Sequence, residues 1–292
     1  MTSPNAPAPS ALSAYDFGRS TSYALQTDPR FSYCLYAPMR FRNKSERSAA
    51  RLLVVVHGTD RSNQSLRDLF APLAERHGLI VLAPLFPCGI SAPQERDSYK
   101  YFADEAPQYD QVLWHMVDEI AHRYGVTFPR LSLFGFSGGA HFTHRFVYVH
   151  ATRIDAASVC APGSPTLLDV QYDWWVGTRD FERRFGRPID LSALRRVRFH
   201  LAVGDADTDT SEITHAPGGP YYMPNANVSG RTRIERLHAL AESLRSAGVS
   251  PVIDVLPGVG HQVEPLAAAA SKFLEGVYAP SLPREGASGG AR

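Results

Sequence analysis

The stretch of sequence that decides the fold is Leu131-Ser132-Leu133-Phe134-Gly135-Phe136-Ser137-Gly138-Gly139-Ala140. An apolar run, which predicts a β-strand, leads directly into a Gly-x-Ser-x-Gly turn, and residues 141–149 continue as a predicted helix. A serine in so sharp a strand-to-helix turn takes a strained backbone conformation, and its hydroxyl points out of the sheet. Glycines at positions 135 and 139 let the strand and the helix approach each other. This arrangement suits a nucleophile, and Ser137 is therefore the first candidate for catalytic chemistry.

A serine hydroxyl is a weak nucleophile at neutral pH, so Ser137 needs a general base and a carboxylate that orients the base. In a parallel sheet these partners follow later strands, in the chain order serine, acid, histidine. Residues 197–203 predict a buried strand, and the candidate acids Asp205, Asp207 and Asp209 come directly after it. Residues 251–256 predict a further strand, and His261 follows it as the candidate base.

The loop after an early strand should supply part of the oxyanion hole, together with the amide of the residue after the serine. Residues 52–56 are all apolar and predict that strand, and His57-Gly58-Thr59-Asp60 follows. The backbone amides of Thr59 and Gly138 are the candidate donors. His57 is expected to fix this loop through its side chain rather than to act in catalysis.

Strands alternate with amphipathic helices along the chain, which predicts an α/β fold with a parallel sheet covered on both faces. Two long connections, at about residues 162–194 and 208–230, interrupt this alternation and are rich in aromatic residues. Long connections in a compact domain are usually functional or disordered, so we expect these to line the site. The candidate substrate-binding residues are Phe86, Tyr172, Trp174, Trp175, Tyr221 and Tyr222. A place in the core is the alternative for Phe86 and for the tryptophan pair.

Metal and cofactor sites find little support in the sequence. His141 and His144 lie three residues apart on one predicted helix, but no carboxylate or cysteine completes a ligand set at metal-binding spacing. The chain has neither a glycine-rich phosphate loop nor a dinucleotide-binding fingerprint, so neither a metal nor a cofactor is expected. His141 also lies one helical turn after Ser137, where it could face the site or be a packed or solvated histidine.

Composition narrows the class of protein. The chain has 292 residues, 44% of them hydrophobic, and a formal net charge of +1. It contains no basic stripe with interleaved aromatic residues, so no nucleic-acid partner is expected, and no apolar run near the ~20 residues of a membrane helix. The first residues resemble no secretory signal. Cys34, Cys88 and Cys160 cannot all pair, and this favours a reduced, cytoplasmic setting. The oligomeric state is left open.

Composition also divides the chain. Residues 1–14 are rich in proline, alanine and serine and predict a disordered segment, and residues 280–292 predict a flexible tail. Residues 15–279 are expected to form a single domain.

Taken together, these motifs resemble those of the α/β-hydrolases, and most closely the branch of esterases and polyhydroxyalkanoate depolymerases. The resemblance covers about residues 30–277. The segments that carry it are Tyr33-Cys34-Leu35-Tyr36-Ala37-Pro38, His57-Gly58, the Gly135–Gly139 turn, the Gly204–Asp207 loop and Gly260-His261. It implies a mostly parallel, doubly wound sheet, with Ser137 as the nucleophile, Asp207 as the acid and His261 as the base. Neither a secretion signal nor an appended substrate-binding domain is expected, and in this the chain would differ from the depolymerases.

The sequence therefore predicts a cofactor-independent serine hydrolase. The expected substrate is a small-molecule carboxylic ester with a small or medium acyl group, cleaved through an acyl-enzyme. Acyl transfer to an alcohol or amine and cleavage of an amide or thioester are alternatives that use the same triad. A binder or lyase that keeps the fold without hydrolysis is a more distant alternative.

Overall fold

The computed structural model describes residues 11–102 and 107–279, and within them the chain forms nine β-strands and nine α-helices. The strands are β1 (Gly18–Arg19), β2 (Tyr23–Ala24), β3 (Ser32–Ala37), β4 (Arg51–Val56), β5 (Leu79–Leu85), β6 (Leu131–Phe136), β7 (Ile154–Cys160), β8 (Arg198–Gly204) and β9 (Val252–Leu256). The helices are α1 (Lys44–Ser48), α2 (Asn63–His77), α3 (Ser98–Tyr101), α4 (Tyr109–Tyr124), α5 (Gly138–His150), α6 (Phe181–Phe185), α7 (Leu191–Leu194), α8 (Arg233–Ser246) and α9 (Val263–Tyr278).

One mixed sheet contains all these strands, in the order β1-β3-β5-β4-β6-β7-β8-β9, with β2 also paired to β3. The pairings from β5 through β4 and β6 to β9 are parallel, whereas β3 runs antiparallel to β5, β1 and β2. After β4 the chain goes first to β5 on one side and then to β6 on the other. Ligands bind in open α/β sheets at such a switch point, outside the carboxyl ends of the strands. The turn at Ser137 and the loop with Thr59 follow the two strands that flank it.

Helices cover both faces of the central strands. Every residue of β6 is buried, and so are all residues of β4 except Arg51, which is possible only where neither face meets water. On the sheet, α2 packs on β3, β4 and β5 and also against α9, while α5 packs on β4, β6 and β7. The predicted mostly parallel, doubly wound α/β architecture is confirmed. In the described ranges no helix combines the length and the apolar character needed to cross a membrane.

The ends of the helices follow local sequence signals. Gly78 and Gly125 end α2 and α4 in the left-handed conformation that glycine adopts without strain. Thr232 and Glu235 form a capping box at the start of α8, in which each side chain accepts a backbone N–H of the other residue. This cap fixes where α8 begins, directly beside the loop that carries the candidate acid.

The predicted disordered segment at residues 1–14 lies outside the described residues as far as residue 10. Beyond it, Leu12 packs against the core, and Ser13 caps a short 3-10 helix, Ala14–Asp16, so ordered structure begins within the segment predicted to be disordered. Ser13 donates both its amide and its hydroxyl to Oδ2 of Asp16, at 2.7 and 2.9 Å, and these hydrogen bonds account for this order. The predicted tail, residues 280–292, lies outside the described residues.

A glycine substitution tests the close contact on which this fold depends. A Cβ atom at Gly139 would lie 2.1 Å from the carbonyl oxygen of Val56, so Gly139→Ala must push α5 away from β4. We expect it to lower the free energy of unfolding by about 1–3 kcal/mol, measured by urea denaturation. Gly276→Ala in α9 is the matched control, because its Cβ would meet no described atom within 4 Å. That change should raise stability by about 0.5–1 kcal/mol. Wild-type stability of Gly139→Ala would contradict the packing.

Candidate active site

Ser137 lies in a strained turn between β6 and α5. Its φ of 55° and ψ of −116° lie outside the regions that serine favours, and its amide donates to the carbonyl of Cys160 at 2.9 Å. A Cβ at Gly135 would come within 2.1 Å of the carbonyl oxygen of Gly139. Only glycine allows strand and helix to come this close, as predicted, and strain of this kind is concentrated at functional sites.

The three candidate triad residues meet in one hydrogen-bonded chain. Nε2 of His261 lies 3.0 Å from Oγ of Ser137, and Nδ1 of His261 lies 2.7 Å from Oδ2 of Asp207. The Asp207 side chain is completely buried, whereas the His261 side chain is 32% exposed. A carboxylate can only accept, so in the neutral imidazole the proton is on Nδ1 and Nε2 is free to accept from the serine hydroxyl. The imidazole therefore has the tautomer that a general base needs.

The loops that carry the acid and the histidine are held together by backbone hydrogen bonds. The amides of Asp205 and Ala206 donate to the carbonyls of Leu256 and Val259, each at 3.0 Å. Gly204 makes this contact possible, because a Cβ there would lie 2.0 Å from the carbonyl oxygen of Val259. The register between the ends of β8 and β9 thus sets the distance between acid and base.

Of the three candidate acids, only Asp207 contacts His261. Asp205 uses Oδ1 to accept the amide of Gly258 at 2.6 Å, and Asp209 accepts the amide of Ser211 at 2.8 Å. Asp205 and Asp209 therefore stabilise turns on either side of the buried carboxylate.

The loop after β4 is fixed by His57. Nδ1 of this completely buried histidine donates to the carbonyl of Gly58 at 2.7 Å, and Nε2 accepts the amide of Phe86 at 3.0 Å. Burial lowers the pKa of His57 to about 4, so the imidazole is neutral and can both donate and accept. His57 thus has the loop-fixing role predicted from the sequence. The loop brings Thr59 to the same cleft as Gly138.

Lys100 and Tyr99 pack closely against Gly138, the candidate oxyanion-hole glycine. A Cβ at Gly138 would lie 2.6 Å from Cε of Lys100 and 2.5 Å from the hydroxyl oxygen of Tyr99. The Lys100 ammonium pairs with Oδ1 of Asp97 at 2.5 Å. Burial lowers the pKa of Lys100, and the neighbouring Asp97 opposes this shift. The turn after Ser137 thus packs against a partly buried ion pair.

A cleft of about 790 Å³ opens above Ser137, a volume typical of a small-molecule site. Its charged lining residues are Asp60, Arg96, Asp97, Lys100, Glu212 and Arg233. Tyr101 and Tyr221 form its aromatic wall, with their rings stacked 4.3 Å apart. The cleft is consequently polar and charged at its rim and aromatic on one side.

Of the six predicted substrate-binding residues, only Tyr221 lines this cleft, and the other five lie outside it. Phe86 is completely buried and stacks on Phe142 at 5.0 Å. The indole N–H of Trp174 donates to the carbonyl of Tyr101 at 2.7 Å, and that of Trp175 donates to the carbonyl of Tyr221 at 3.0 Å. Both tryptophans therefore support the aromatic wall from behind.

Tyr172 and Tyr222, the remaining two aromatic candidates, also lie outside the cleft. Tyr172 packs against the core from a surface turn, and its carbonyl accepts the amide of Arg179. Tyr222 is 41% exposed. The aromatic composition of the two insertions did not reveal which rings face the serine, since neighbours such as Tyr221 and Tyr222 point to different surroundings.

His141 lines the cleft, but its imidazole is hydrogen-bonded to the loop after β7. Its Nε2 accepts the amides of Gly163 at 2.7 Å and Ser164 at 2.9 Å, and burial holds its pKa well below the usual range. His144 accepts the amide of Thr166 in the same way. Both histidines are neutral anchors. In residues 11–102 and 107–279 no cluster of three or more histidine, cysteine or acidic side chains is arranged to hold a metal.

Sequence reasoning missed several residues of the site, among them Tyr101, Lys100 and Arg233. Tyr101 and Lys100 lie in a stretch without periodicity, where no motif distinguishes them. Arg233 is the first residue of α8, and its Nη1 donates to Oδ1 of Asp207 at 2.9 Å. A cation in the first turn of a helix is unfavourable for the helix dipole, and this was the one available signal.

Comparison of the sequence finds neither a matching family model nor a matching curated protein. Solved structures do resemble this one. Poly(aspartic acid) hydrolase-1 from Sphingomonas sp. KT-1 is 22% identical with a TM-score of 0.63, over 83% of this chain and 92% of that chain. LpqC, a poly(3-hydroxybutyrate) depolymerase from Bordetella parapertussis, is 22% identical with a TM-score of 0.66, over 88% and 90%.

An S-formylglutathione hydrolase from Agrobacterium tumefaciens is 16% identical with a TM-score of 0.60, over 88% of this chain and 93% of that chain. Together with the sheet order and the strained turn after β6, these similarities establish that the chain has the α/β-hydrolase fold, as the motifs predicted.

Proposed function

We propose that this protein is a serine hydrolase that cleaves a carboxylic ester through an acyl-enzyme intermediate. The observation that carries the proposal is the continuous chain from Oγ of Ser137 through the imidazole of His261 to the buried carboxylate of Asp207. These contacts span 124 and 54 residues of sequence, so three separate loops converge to make them.

In the proposed reaction, Oγ of Ser137 attacks the ester carbonyl while Nε2 of His261 takes the hydroxyl proton. Asp207 holds the Nδ1–H and stabilises the imidazolium that forms. The amides of Thr59 and Gly138 would bind the negatively charged oxygen of the tetrahedral intermediate. Collapse of that intermediate breaks the ester bond, and the alcohol leaves with the proton from His261. Water then repeats the sequence on the acyl-enzyme and releases the acid.

Two features favour water as the final acceptor. The His261 side chain is 32% exposed, so water can reach the base that must activate it. The cleft that contains Ser137 is open and lined by charged groups, which keeps it hydrated. Acyl transfer requires an acceptor alcohol or amine to compete with this water.

The shape and charge of the cleft favour polar esters with small or medium acyl groups. Its aromatic wall of Tyr101 and Tyr221 offers one flat surface, but Lys100, Asp97 and Arg96 interrupt any longer apolar path. The similar structures are a poly(aspartic acid) hydrolase, a poly(3-hydroxybutyrate) depolymerase and an S-formylglutathione hydrolase, and a further one is a ferulic acid esterase. Two of these four, the depolymerase and the ferulic acid esterase, act on esters, and a simple ester is the substrate that we assign to this chain.

A fluorophosphonate probe tests the proposal. We expect one equivalent of probe to label the protein, with peptide mapping placing the adduct on Ser137. Hydrolysis should follow for p-nitrophenyl acetate and butyrate, and it should decline for longer acyl chains. A panel with matched thioester and anilide substrates distinguishes ester hydrolysis from the cleavage of thioesters and amides. A protein that neither labels nor turns over any of these substrates is not a serine hydrolase.

A further inference from the structure

The buried carboxylate of Asp207 has two partners, one for each oxygen. Oδ2 faces Nδ1 of His261 at 2.7 Å, and Oδ1 accepts from Nη1 of Arg233 at 2.9 Å. Within residues 11–102 and 107–279, Arg233 is the only donor to Oδ1. The same Nη1 also donates to the carbonyl of Asp209 at 3.0 Å. One guanidinium nitrogen therefore ties both the acid and its loop to the start of α8.

The position of Arg233 is unfavourable for stability alone. Its side chain is only 5% exposed, and it begins a helix where the dipole disfavours a cation. Its Nε is buried and has no hydrogen-bond partner among the residues that the structure describes. Residues held at such a cost are expected at functional sites, where a compensating gain lies in the chemistry. The contact with Asp207 is the gain that the geometry offers.

Arg236, a second buried arginine on α8, makes contacts typical of a structural role. Arg236 donates to the backbone carbonyls of Gly230 and Ile213, at 2.9 and 2.7 Å, and to the side chain of Asn227 at 3.0 Å. It makes no contact with Asp207. Arg236 anchors loops, whereas Arg233 contacts a member of the candidate triad.

We infer that Arg233 is a positioning residue, which holds the Asp207 carboxylate so that one oxygen stays turned toward His261. This inference rests on the proposed function. Because Arg233 can only donate, it requires an acceptor atom on the side of residue 207 that faces it. For the native carboxylate, this fixes its rotation and leaves the other oxygen for the histidine. For an asparagine at 207, the same donor would attract the amide oxygen and turn the NH2 group toward His261.

A double-mutant cycle tests this, with kcat and KM for p-nitrophenyl acetate measured for wild type, Arg233→Met, Asp207→Asn and the double variant. Arg233→Met alone should lower kcat by about 10- to 100-fold and leave KM nearly unchanged. The substitution removes the charge-assisted hydrogen bond from Arg233 to Asp207, the residue that orients His261. In the Asp207→Asn background the same change should leave kcat unchanged or raise it, since the asparagine is then free to turn its oxygen to the histidine.

Arg236→Lys in both backgrounds is the matched control, and it should change kcat by the same factor in each. If Arg233→Met does not fold, Arg233→Leu replaces it, because leucine likewise has no group that can donate a hydrogen bond to Asp207. An equal loss of kcat on both backgrounds, or wild-type kcat in the folded Arg233 variant, would overturn the role. If the proposed function itself is wrong, the result is distinguishable from a failure of this inference, because the wild-type protein then neither labels at Ser137 nor hydrolyses the ester.

Discussion

Ser137→Ala is expected to lose about 10⁶-fold in kcat for p-nitrophenyl acetate, because no other group can supply the oxygen that forms the acyl-enzyme. The 3.0 Å contact of Oγ with Nε2 of His261 makes this hydroxyl the one that the base can deprotonate. The substitution removes a single oxygen from a turn whose backbone is set by Gly135 and Gly139, so the fold should remain intact. Thermal unfolding measured beside the kinetics separates loss of chemistry from loss of structure.

Ser246→Ala is the matched control for this experiment. Ser246 is the exposed last residue of α8, at the end of the helix away from the cleft, and its substitution should leave kcat at the wild-type level. A folded Ser137→Ala protein with more than about 1% of wild-type kcat would exclude Ser137 as the nucleophile, since a lost triad member costs several orders of magnitude.

Asp207→Asn should lower kcat by about 10⁴-fold, the cost of the wrong imidazole tautomer in a serine triad. Arg233 determines that outcome here, because its Nη1 lies 2.9 Å from Oδ1 and can only donate. The amide oxygen of the asparagine would turn to Arg233, and its NH2 group would face Nδ1 of His261. That nitrogen must then accept, so the ring proton moves to Nε2, and Nε2 can no longer take the proton from Ser137.

Asp205→Asn and Asp209→Asn are the isosteric controls for the acid. Asparagine at either position keeps an oxygen to accept the backbone amide that each aspartate now binds, from Gly258 or Ser211. Both variants should therefore keep kcat within about threefold of wild type, as expected for surface substitutions that preserve their contacts. A larger loss for Asp209→Asn than for Asp207→Asn would show that a different carboxylate supports the base.

The elements around the nucleophile could be predicted closely because their signals are local. An apolar run ending in Gly-x-Ser-x-Gly predicted β6, the turn and α5. Glycine is required at positions 135 and 139, because a Cβ at either would lie 2.1 Å from a backbone carbonyl oxygen. The loop-fixing role of His57 also followed from its place after β4. In each case a backbone requirement at a strand end restricts the residue type, and the restriction is visible in the sequence.

The walls of the cleft could not be predicted in the same way. Trp174 and Trp175 have the composition expected of a pocket, yet both indoles point inward and hold backbone carbonyls behind the stacked Tyr101 and Tyr221. An aromatic side chain gains from burial in either place, so its residue type does not distinguish core from wall. That choice depends on how two insertions, far apart in sequence, fold over each other.

The sequence by itself determined the alternation of strands and helices along the chain, the strained serine turn and the two loops in which a base and an acid should lie. These follow from periodicity and from glycine at positions where a Cβ does not fit, which are properties of short segments. The resemblance of the Gly204–Asp207 loop implied Asp207 as the acid, but only the tertiary structure brings this aspartate, and not Asp205 or Asp209, to His261, with Arg233 behind it. Three aspartates in one loop are chemically equivalent, and the hydrogen bonds between the ends of β8 and β9 determine which one turns inward.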